Sequence, residues 1–108
     1  GDFNSPPASP VFHYLCDEAC FIDAQAAVGQ IDPRHPRAFP TAGFMHMRMH
    51  LDHIFSGGGV RWLDADETCA FGDVRSRFHG LSDHMPLIAR FQLEPPAAQA
   101  EPPAPAGA

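Results

Sequence analysis

Hydrophobic and polar residues alternate along the middle of this chain, from residue 45 to residue 52. The apolar members are Met45, Met47, Met49 and Leu51, and the polar members are His46, Arg48, His50 and Asp52. A period of two is typical of a β-strand with one buried face. The pattern therefore predicts a strand that continues to Ser56, with its methionine side against the core.

Further strands are predicted on the C-terminal side of this one. The glycines at 57–59 indicate a turn, and residues 60–70 are expected to return as a strand that pairs with the first one in a hairpin. After a loop over residues 71–86, renewed alternation over residues 87–93 predicts a last strand. The stretch 30–43 carries three prolines and a glycine and is predicted to be a loop.

Two short helices are predicted before the strands. The Ser-Pro pair at residues 9–10 is typical of a helix start, with serine as the N-cap and proline in the first turn. This helix should end near residue 17, and its apolar face would hold Val11, Tyr14 and Leu15. A second helix or turn should follow Asp23, run over residues 24–28 and stop at Gly29.

Composition narrows the class of protein only in part. The 108 residues suffice for one domain or a large piece of one, and 44% of them are hydrophobic. The formal charge is -6, and all seven basic residues are arginines. An acidic chain is not suited to coat nucleic acid by charge alone, but a bound divalent cation could still neutralise phosphate in a nuclease.

The cysteines and the C-terminal residues provide few candidates for a functional site. Cys16, Cys20 and Cys69 are too few for a disulfide framework and lack the spacing of a zinc site, so we expect small buried side chains. No stretch reaches the length of a membrane span. Residues 94–108 are rich in proline and alanine and are predicted to be a disordered tail, or else a docking peptide for a proline-recognising partner.

Three short motifs carry the candidate chemistry. They are Gly-Asp-Phe-Asn at residues 1–4, Leu-Asp-His-Ile-Phe at 51–55 and Ser-Asp-His-Met-Pro at 82–86. Together they supply carboxylates, an amide and an imidazole. Hydrolysis of a phosphoester needs an oriented water and stabilisation of charge on the phosphate oxygens, and these groups can provide both.

In this order the motifs resemble the C-terminal half of the endonuclease/exonuclease/phosphatase superfamily, which has the DNase I-like fold. The resemblance covers about residues 1–93 and includes a Ser/Pro-rich turn after the first motif. It implies an α+β fold that forms half of a four-layer α/β/β/α sandwich, with mainly antiparallel sheet and one or two short helices. It also implies divalent-metal-dependent hydrolysis of phosphoester bonds, with Mg²⁺ or Mn²⁺ as the cofactor.

Each motif residue receives a role on this interpretation. Asp83 would be a metal ligand, and Asp2 would orient the attacking water or help to hold the metal. Asn4, two residues further along an extended chain, would project to the same side as Asp2 and donate to a phosphate oxygen. His84 would exchange a proton or contact the phosphate. The resemblance implies that Asp52 orients His84 and stabilises its protonated form.

The first motif starts at residue 1 without an initiator methionine, so we expect this chain to be the C-terminal part of a larger catalytic domain. The resemblance implies that the N-terminal half supplies a metal-binding glutamate and further phosphate contacts. Alone, the chain should therefore be inactive, and its methionine face, lacking a partner, should make it poorly soluble. The substrate would be a nucleic acid, a phospholipid or a small phosphoester, with tight nucleic-acid binding slightly disfavoured by the acidic charge.

Two other functions remain open. One is a non-catalytic remnant or binding module that has kept the motif residues, although decay should have removed some of them. The other is a metal-binding module of His46, His50 and His53, which would bind a transition metal. Plainer structural roles also exist for the motif residues: a turn or cap for Asp2 and Asn4, an ion pair with Arg48 for Asp52, and a turn before Pro86 for Ser82 and Asp83.

The remaining histidines are expected outside the chemistry. His53 faces away from Asp52 on a strand and should pack in the protein. His46 and His50 are expected to be solvated or at the edge of the substrate. His79 is the strongest candidate for an additional substrate contact, with Phe78 beside it.

Overall fold

The computed structural model describes residues 1–36, 38–66 and 80–95. Short helices combine with short antiparallel strand pairs, which confirms the coarse α+β class. In these ranges no helix is long and apolar enough to cross a membrane. Parts of several predicted features lie outside the described residues: the end of the second strand at 67–70 with Cys69, residues 71–79 of the loop predicted over 71–86, which include Phe78 and His79, and residues 96–108 of the tail predicted over 94–108.

Helix α1 spans Pro10–His13 and starts as predicted. The Ser9 side chain accepts a hydrogen bond of 3.3 Å from the Phe12 amide, which satisfies one of the free donors of the first turn. A wider π-helical turn, Tyr14–Glu18, continues the helix. The predicted buried face is wrong: Phe12 is the buried residue because its ring packs on His53 and Phe55. The residues expected there are exposed or half-buried, namely Val11, Tyr14 and Leu15.

Helix α2 spans Ala24–Ala27 and directly follows the two-residue strand β1, Ile22–Asp23. The Asp23 carboxylate accepts a hydrogen bond of 2.9 Å from the Ala26 amide and so caps the helix. Gly29 ends it with a φ of +76°, a left-handed conformation that glycine adopts without steric cost. The predicted second helix and its stop are confirmed.

The long strand predicted over residues 45–56 is wrong. In its place, β2 (Ala42–Phe44) and β3 (Met47–Met49) form a small antiparallel hairpin that turns at Met45, where φ is +53°. The start of β2 lies in the region predicted to be a loop. After β3 the chain leaves the hairpin, and the short strand β4 (Phe55–Ser56) pairs with β1.

The burial predicted for the methionine side of that segment is also wrong. Met45 and Met47 are 79% and 60% exposed, whereas His50 and His53 are each 1% exposed. The two imidazoles are buried with hydrogen bonds, since His50 Nδ1 donates to the Phe39 carbonyl at 2.7 Å and His53 contacts the Ser5 carbonyl at 2.6 Å. Packing of His53 is confirmed, and solvation of His50 is wrong because burial has removed it from water.

Strands β5 (Val60–Ala65) and β6 (Ala89–Leu93) form the longest antiparallel pair, with an irregularity between Trp62 and Asp64. The Arg90 guanidinium and the Asp64 carboxylate form an ion pair across these strands. This confirms the predicted last strand. The predicted hairpin between β5 and the preceding strand is wrong, because the glycine turn connects strands that pair with different partners.

Among the described residues, the buried core mixes apolar and polar side chains. Its apolar members are Phe12, Ala24, Ile31, Ala42 and Met85, and its polar members are Asp23, Gln25, Thr41, His50 and His53. Buried polar groups need hydrogen-bond partners, and most of these side chains have them. The cysteines contribute little to this core: Cys16 is half-buried, and the expected burial is wrong for Cys20, which is exposed.

Candidate functional site

The first motif pairs with the second through the backbone. Residues 1–3 run antiparallel to residues 51–53 and are joined to them by hydrogen bonds of 3.0 and 3.1 Å that flank an Asp2–Asp52 bridge. Residues opposite each other between two such bonds form the close type of antiparallel pair, with both side chains on one face. Two carboxylates from distant parts of the sequence therefore lie side by side.

The third motif joins them through a second backbone bridge. Residues 41–43 run antiparallel to residues 83–85, with two hydrogen bonds of 2.7 Å on either side of an Ala42–His84 pair. This bridge brings the His84 imidazole to the Asp2–Asp52 pair.

His84 and the two aspartates form one cluster. The Nδ1 atom of His84 donates a hydrogen bond of 2.8 Å to Asp52 Oδ2, and its Nε2 atom lies 3.8 Å from Asp2 Oδ2. One ligand atom from each of the three residues lies within 4.8 Å of the others. The imidazole is one-third exposed on its side chain and so remains accessible from solvent.

The surroundings of His84 favour its protonated form. The hydrogen bond to Asp52 raises the pKa of His84 above its ordinary value of 6.5, against an opposing effect of partial burial. The charges of Asp52, Asp2 and Asp83 raise the same pKa further. Because like charges directly opposite each other are destabilising in a sheet, a cation beside Asp2 and Asp52 relieves their repulsion. A protonated His84 is one such cation, and a metal ion would be another.

Thr41 holds Asp52 in position and was not identified as a site residue from the sequence. Its buried hydroxyl donates to Asp52 Oδ2 at 2.7 Å and accepts hydrogen bonds from the amides of Leu51 and Asp52 at 2.9 and 3.1 Å. The hydroxyl thus holds both the backbone and the carboxylate of Asp52. No local pattern singled it out, since Thr41 lies in a region predicted to be a loop and its partners are ten and eleven residues away.

Asn4 occupies a turn, which corrects the expectation of an extended chain. Its φ is +49°, and its backbone amide donates to Asp2 Oδ1 at 2.7 Å. This hydrogen bond fixes the Asp2 carboxylate and leaves Oδ2 as the oxygen nearest to His84.

Asp83 lies beside the cluster. Its backbone carbonyl accepts a hydrogen bond from the Gly43 amide, and its exposed side chain is near enough for its charge to act on His84. Its carboxylate is not part of the three-residue group described above. Ser82 accepts a hydrogen bond from the His84 amide and so shapes the turn that presents these two residues.

The three histidines proposed as a separate metal-binding module do not form a group of ligands, although the rings of His50 and His53 lie 5.2 Å apart. Both nitrogens of His50 contact oxygen atoms, of Phe39 at 2.7 Å and of Gln25 at 3.0 Å. His46 is exposed and His53 is buried. Within the described ranges, Asp2, Asp52 and His84 are the one group of three potential ligands close enough to share an ion.

The donor atoms of the cluster suit a hard divalent cation. Carboxylate oxygens are the protein ligands that Mg²⁺ and Mn²⁺ prefer, and Mg²⁺ is commonly held by one or two of them together with water and substrate phosphate. Asp52 Oδ2 already accepts hydrogen bonds from Thr41 and His84, which makes Asp2 the better placed of the two carboxylates for such an ion.

Comparison with protein-family models, with curated proteins and with solved structures found no match for this chain. Function is therefore inferred from the residues themselves. The strongest observation is that strand pairing brings residues of all three motifs into one cluster.

Proposed function

We propose that this chain carries catalytic residues of a divalent-metal-dependent phosphoester hydrolase with a DNase I-like fold. The observation that supports this most is the 2.8 Å hydrogen bond between His84 and Asp52, with Asp2 on the opposite side of the imidazole. An imidazole held by one carboxylate and directed at another is the kind of acid–base group that phosphoester hydrolysis uses. The same pairing was implied by the motif resemblance.

Proton transfer is assigned to the Nε2 atom of His84. Hydrolysis adds water across a P–O bond, so the water loses a proton and the departing alcohol oxygen gains one. Since Nδ1 is bound to Asp52, Nε2 is the nitrogen that can exchange a proton with the substrate or donate to a phosphate oxygen. Asp52 stabilises the imidazolium, and Asp2 orients the attacking water or helps to hold the metal.

A bound Mg²⁺ or Mn²⁺ would neutralise charge on the phosphate oxygens. We assign its ligands to Asp2 and Asp83. Asp83 directly precedes His84 in the third motif, and the charges of both carboxylates act on the His84 imidazole. Asn4 is the candidate donor to a phosphate oxygen. The resemblance also implies a metal-binding glutamate, which is not assigned to a residue of this chain.

The test is a hydrolysis assay on the protein as its gene encodes it, with bis(4-nitrophenyl) phosphate and either Mg²⁺ or Mn²⁺. His84→Ala should lower kcat by about 10²- to 10⁴-fold, the usual contribution of a positioned acid–base group. Asp83→Ala should raise the metal concentration needed for half-maximal rate. The control is His46→Ala, which removes an exposed imidazole outside the cluster and should leave the rate unchanged.

Two results would contradict the proposal. If His84→Ala kept the full rate, the role of His84 would be wrong. If the unaltered protein bound phosphoesters without any metal-dependent turnover, the non-catalytic binding module would be the better account. A circular dichroism spectrum and an unfolding curve of each variant separate loss of chemistry from loss of fold.

A further inference from the structure

An apolar cleft adjoins the candidate site. It has a volume of about 130 Å³ and lies between the β2–β3 hairpin and the segment that carries the third motif. The residues that matter for its chemistry are Phe44, Met47, Met49 and Leu51 on the apolar side, with Asp83 and His84 at one end. The cleft and the candidate site therefore share the His84 imidazole.

Strand register explains why the apolar side chains and His84 face the same way. Ala42 lies opposite Met49 on one side and opposite His84 on the other, so these three residues form one row across three paired segments. Residues directly opposite in antiparallel pairs share a face, and Phe44 and Met47 form the next row on it. The small Ala42 side chain between Met49 and His84 leaves the space that becomes the cleft.

The charge of the lining restricts what the cleft can accept. Among the described residues that line it, the ionisable side chains are those of Asp83 and His84, and both lie at the end next to the cluster. One phosphate could bind at that end, whereas a second phosphate further along would meet methionine and phenylalanine. This arrangement suits a single phosphoester with an apolar group and is unsuited to the repeated phosphates of a nucleic acid backbone.

We propose that the cleft is a substrate subsite for an apolar ester group, either one aryl ring or a short alkyl chain, attached to the phosphate at His84. This rests on the proposed function and names its substrate class. An apolar cavity of about 150 Å³ holds a benzene ring, so the volume is of the right order. Methionine is well suited to the role, because its flexible thioether adapts to bound groups and contacts aromatic rings favourably. Phe44 and Met47 are 67% and 60% exposed, and a bound ring would cover them.

The experiment uses the three methionines of the β2–β3 hairpin as reporters. The protein as its gene encodes it is labelled with ¹³C at the methionine methyl groups and titrated with phenyl phosphate in the presence of Mg²⁺. The ring current of the bound phenyl group should shift the methyl signals of Met47 and Met49, and the shift should reach a plateau as the ligand concentration rises. Met45 serves as the internal control, since it lies at the tip of the same hairpin, is 79% exposed and does not line the cleft. Methyl phosphate, which has the phosphate without the ring, should leave the Met47 and Met49 signals in place.

Variants test the same subsite by affinity. Met47→Ala should weaken phenyl phosphate binding by about tenfold, the lower range for loss of a hydrophobic contact in a binding pocket. Met45→Ala, a matched truncation outside the cleft, should leave this affinity unchanged. In the hydrolysis assay, Met47→Ala should also reduce the preference for phenyl phosphate over methyl phosphate.

Several outcomes would overturn the subsite. Equal shifts of Met45, Met47 and Met49, or equal effects of phenol and phenyl phosphate, would mean nonspecific contact with exposed methionines. Binding to phosphatidic acid vesicles that Met45→Ala abolishes as fully as Met47→Ala would instead indicate a membrane-contacting surface.

Metal-dependent hydrolysis without any preference for the apolar ester, together with unshifted methyl signals of the methionines, would reject the subsite and leave the proposed function intact. Selective shifts without hydrolysis would support the subsite and reject the proposed function.

Discussion

The dipeptide Asp-His occurs at residues 52–53 and again at residues 83–84, and each copy contributes one residue to the cluster. The cluster takes the aspartate of the first copy and the histidine of the second. The other histidine, His53, is buried against Phe12 and Phe55, since neighbouring residues of an extended segment point to opposite faces. The dipeptide alone therefore does not distinguish the two histidines, but the direction in which each imidazole faces does, and the alternation of side chains along an extended chain predicts that direction for His53.

Removal of the Asp52 charge should lower the pKa of His84. The pKa of His84 is raised chiefly by its hydrogen bond to Asp52, so Asp52→Asn should return it towards 6.5. The stabilising effect of this pair on the fold is fully present below pH 6.5 and is lost as the pH rises through the raised pKa of the folded state. A ¹⁵N-detected NMR titration of the imidazole measures the pKa in each variant.

Asp2→Asn is the matched control, because Asp2 lies 3.8 Å from the imidazole and Asp52 lies at 2.8 Å. It should lower the pKa of His84 by less than Asp52→Asn does. An unchanged titration in Asp52→Asn would show that the pair does not hold the imidazolium.

At the scale of elements, the site is built from short segments. Backbone hydrogen bonds and one side-chain hydroxyl group hold these segments together. Thr41 precedes β2 and joins it to residues 51–52 through three hydrogen bonds. Because the hydroxyl acts as donor and acceptor together, no apolar residue of similar shape can replace it. The position of Asp52 relative to His84 is thus set by an element that carries no predicted catalytic residue.

Thr41→Val should destabilise the fold and disturb the site together. The substitution keeps the shape but leaves the half-buried amides of Leu51 and Asp52 without their acceptor, and the loss of such an acceptor typically costs about 1–3 kcal/mol in the free energy of unfolding. Urea unfolding measures this cost, and the His84 titration should show a changed pKa. Thr41→Ser keeps the hydroxyl and should preserve the His84 pKa, with a smaller loss of stability. Equal effects of valine and serine would indicate that the methyl group matters and the hydroxyl does not.

The helices were predicted better than the strands, and the reason lies in the range of their contacts. The caps of α1 and α2 are hydrogen bonds that the side chains of Ser9 and Asp23 accept from amides three residues ahead, so the sequence around each helix contains the whole interaction. Pairing of β4 with β1, and of β5 with β6, joins residues about thirty apart. Strand propensity is weakly intrinsic and depends on the partner strand, so local alternation could not reveal these pairings.

At the scale of the whole molecule, polar side chains fill much of the interior of the described part, while the methionines of the β2–β3 hairpin lie on the surface. The buried His50 shows the consequence for charge, since burial lowers its pKa. Asp23, buried next to His53, has a raised pKa for the same reason. Exposed large apolar residues are common by contrast, and those of the hairpin are Phe44, Met45, Met47 and Met49. A contiguous apolar surface of this kind favours association.

The 108-residue chain, expressed alone, should self-associate through this hairpin. The double variant Met45→Gln/Met47→Gln should lower the apparent mass at high protein concentration, because it removes apolar surface that is mostly exposed. Size-exclusion chromatography with light scattering over a range of concentrations measures the mass. His46→Gln changes an exposed polar residue of the same turn and should have no effect. A monodisperse monomer with cooperative unfolding would contradict the prediction.

The sequence by itself determined the features whose causes are local: the starts of both helices, the stop at Gly29, the last strand and the residue types of the three motifs. Only the tertiary structure decided which faces are buried, which strands pair and that Thr41 supports Asp52. A cap or a left-handed glycine depends on a few neighbouring residues, whereas burial and pairing depend on distant segments. The segment over residues 45–56 shows this most clearly. Its methionines alternate regularly with polar residues in the sequence, but the chain turns at Met45, and the buried residues are His50 and His53.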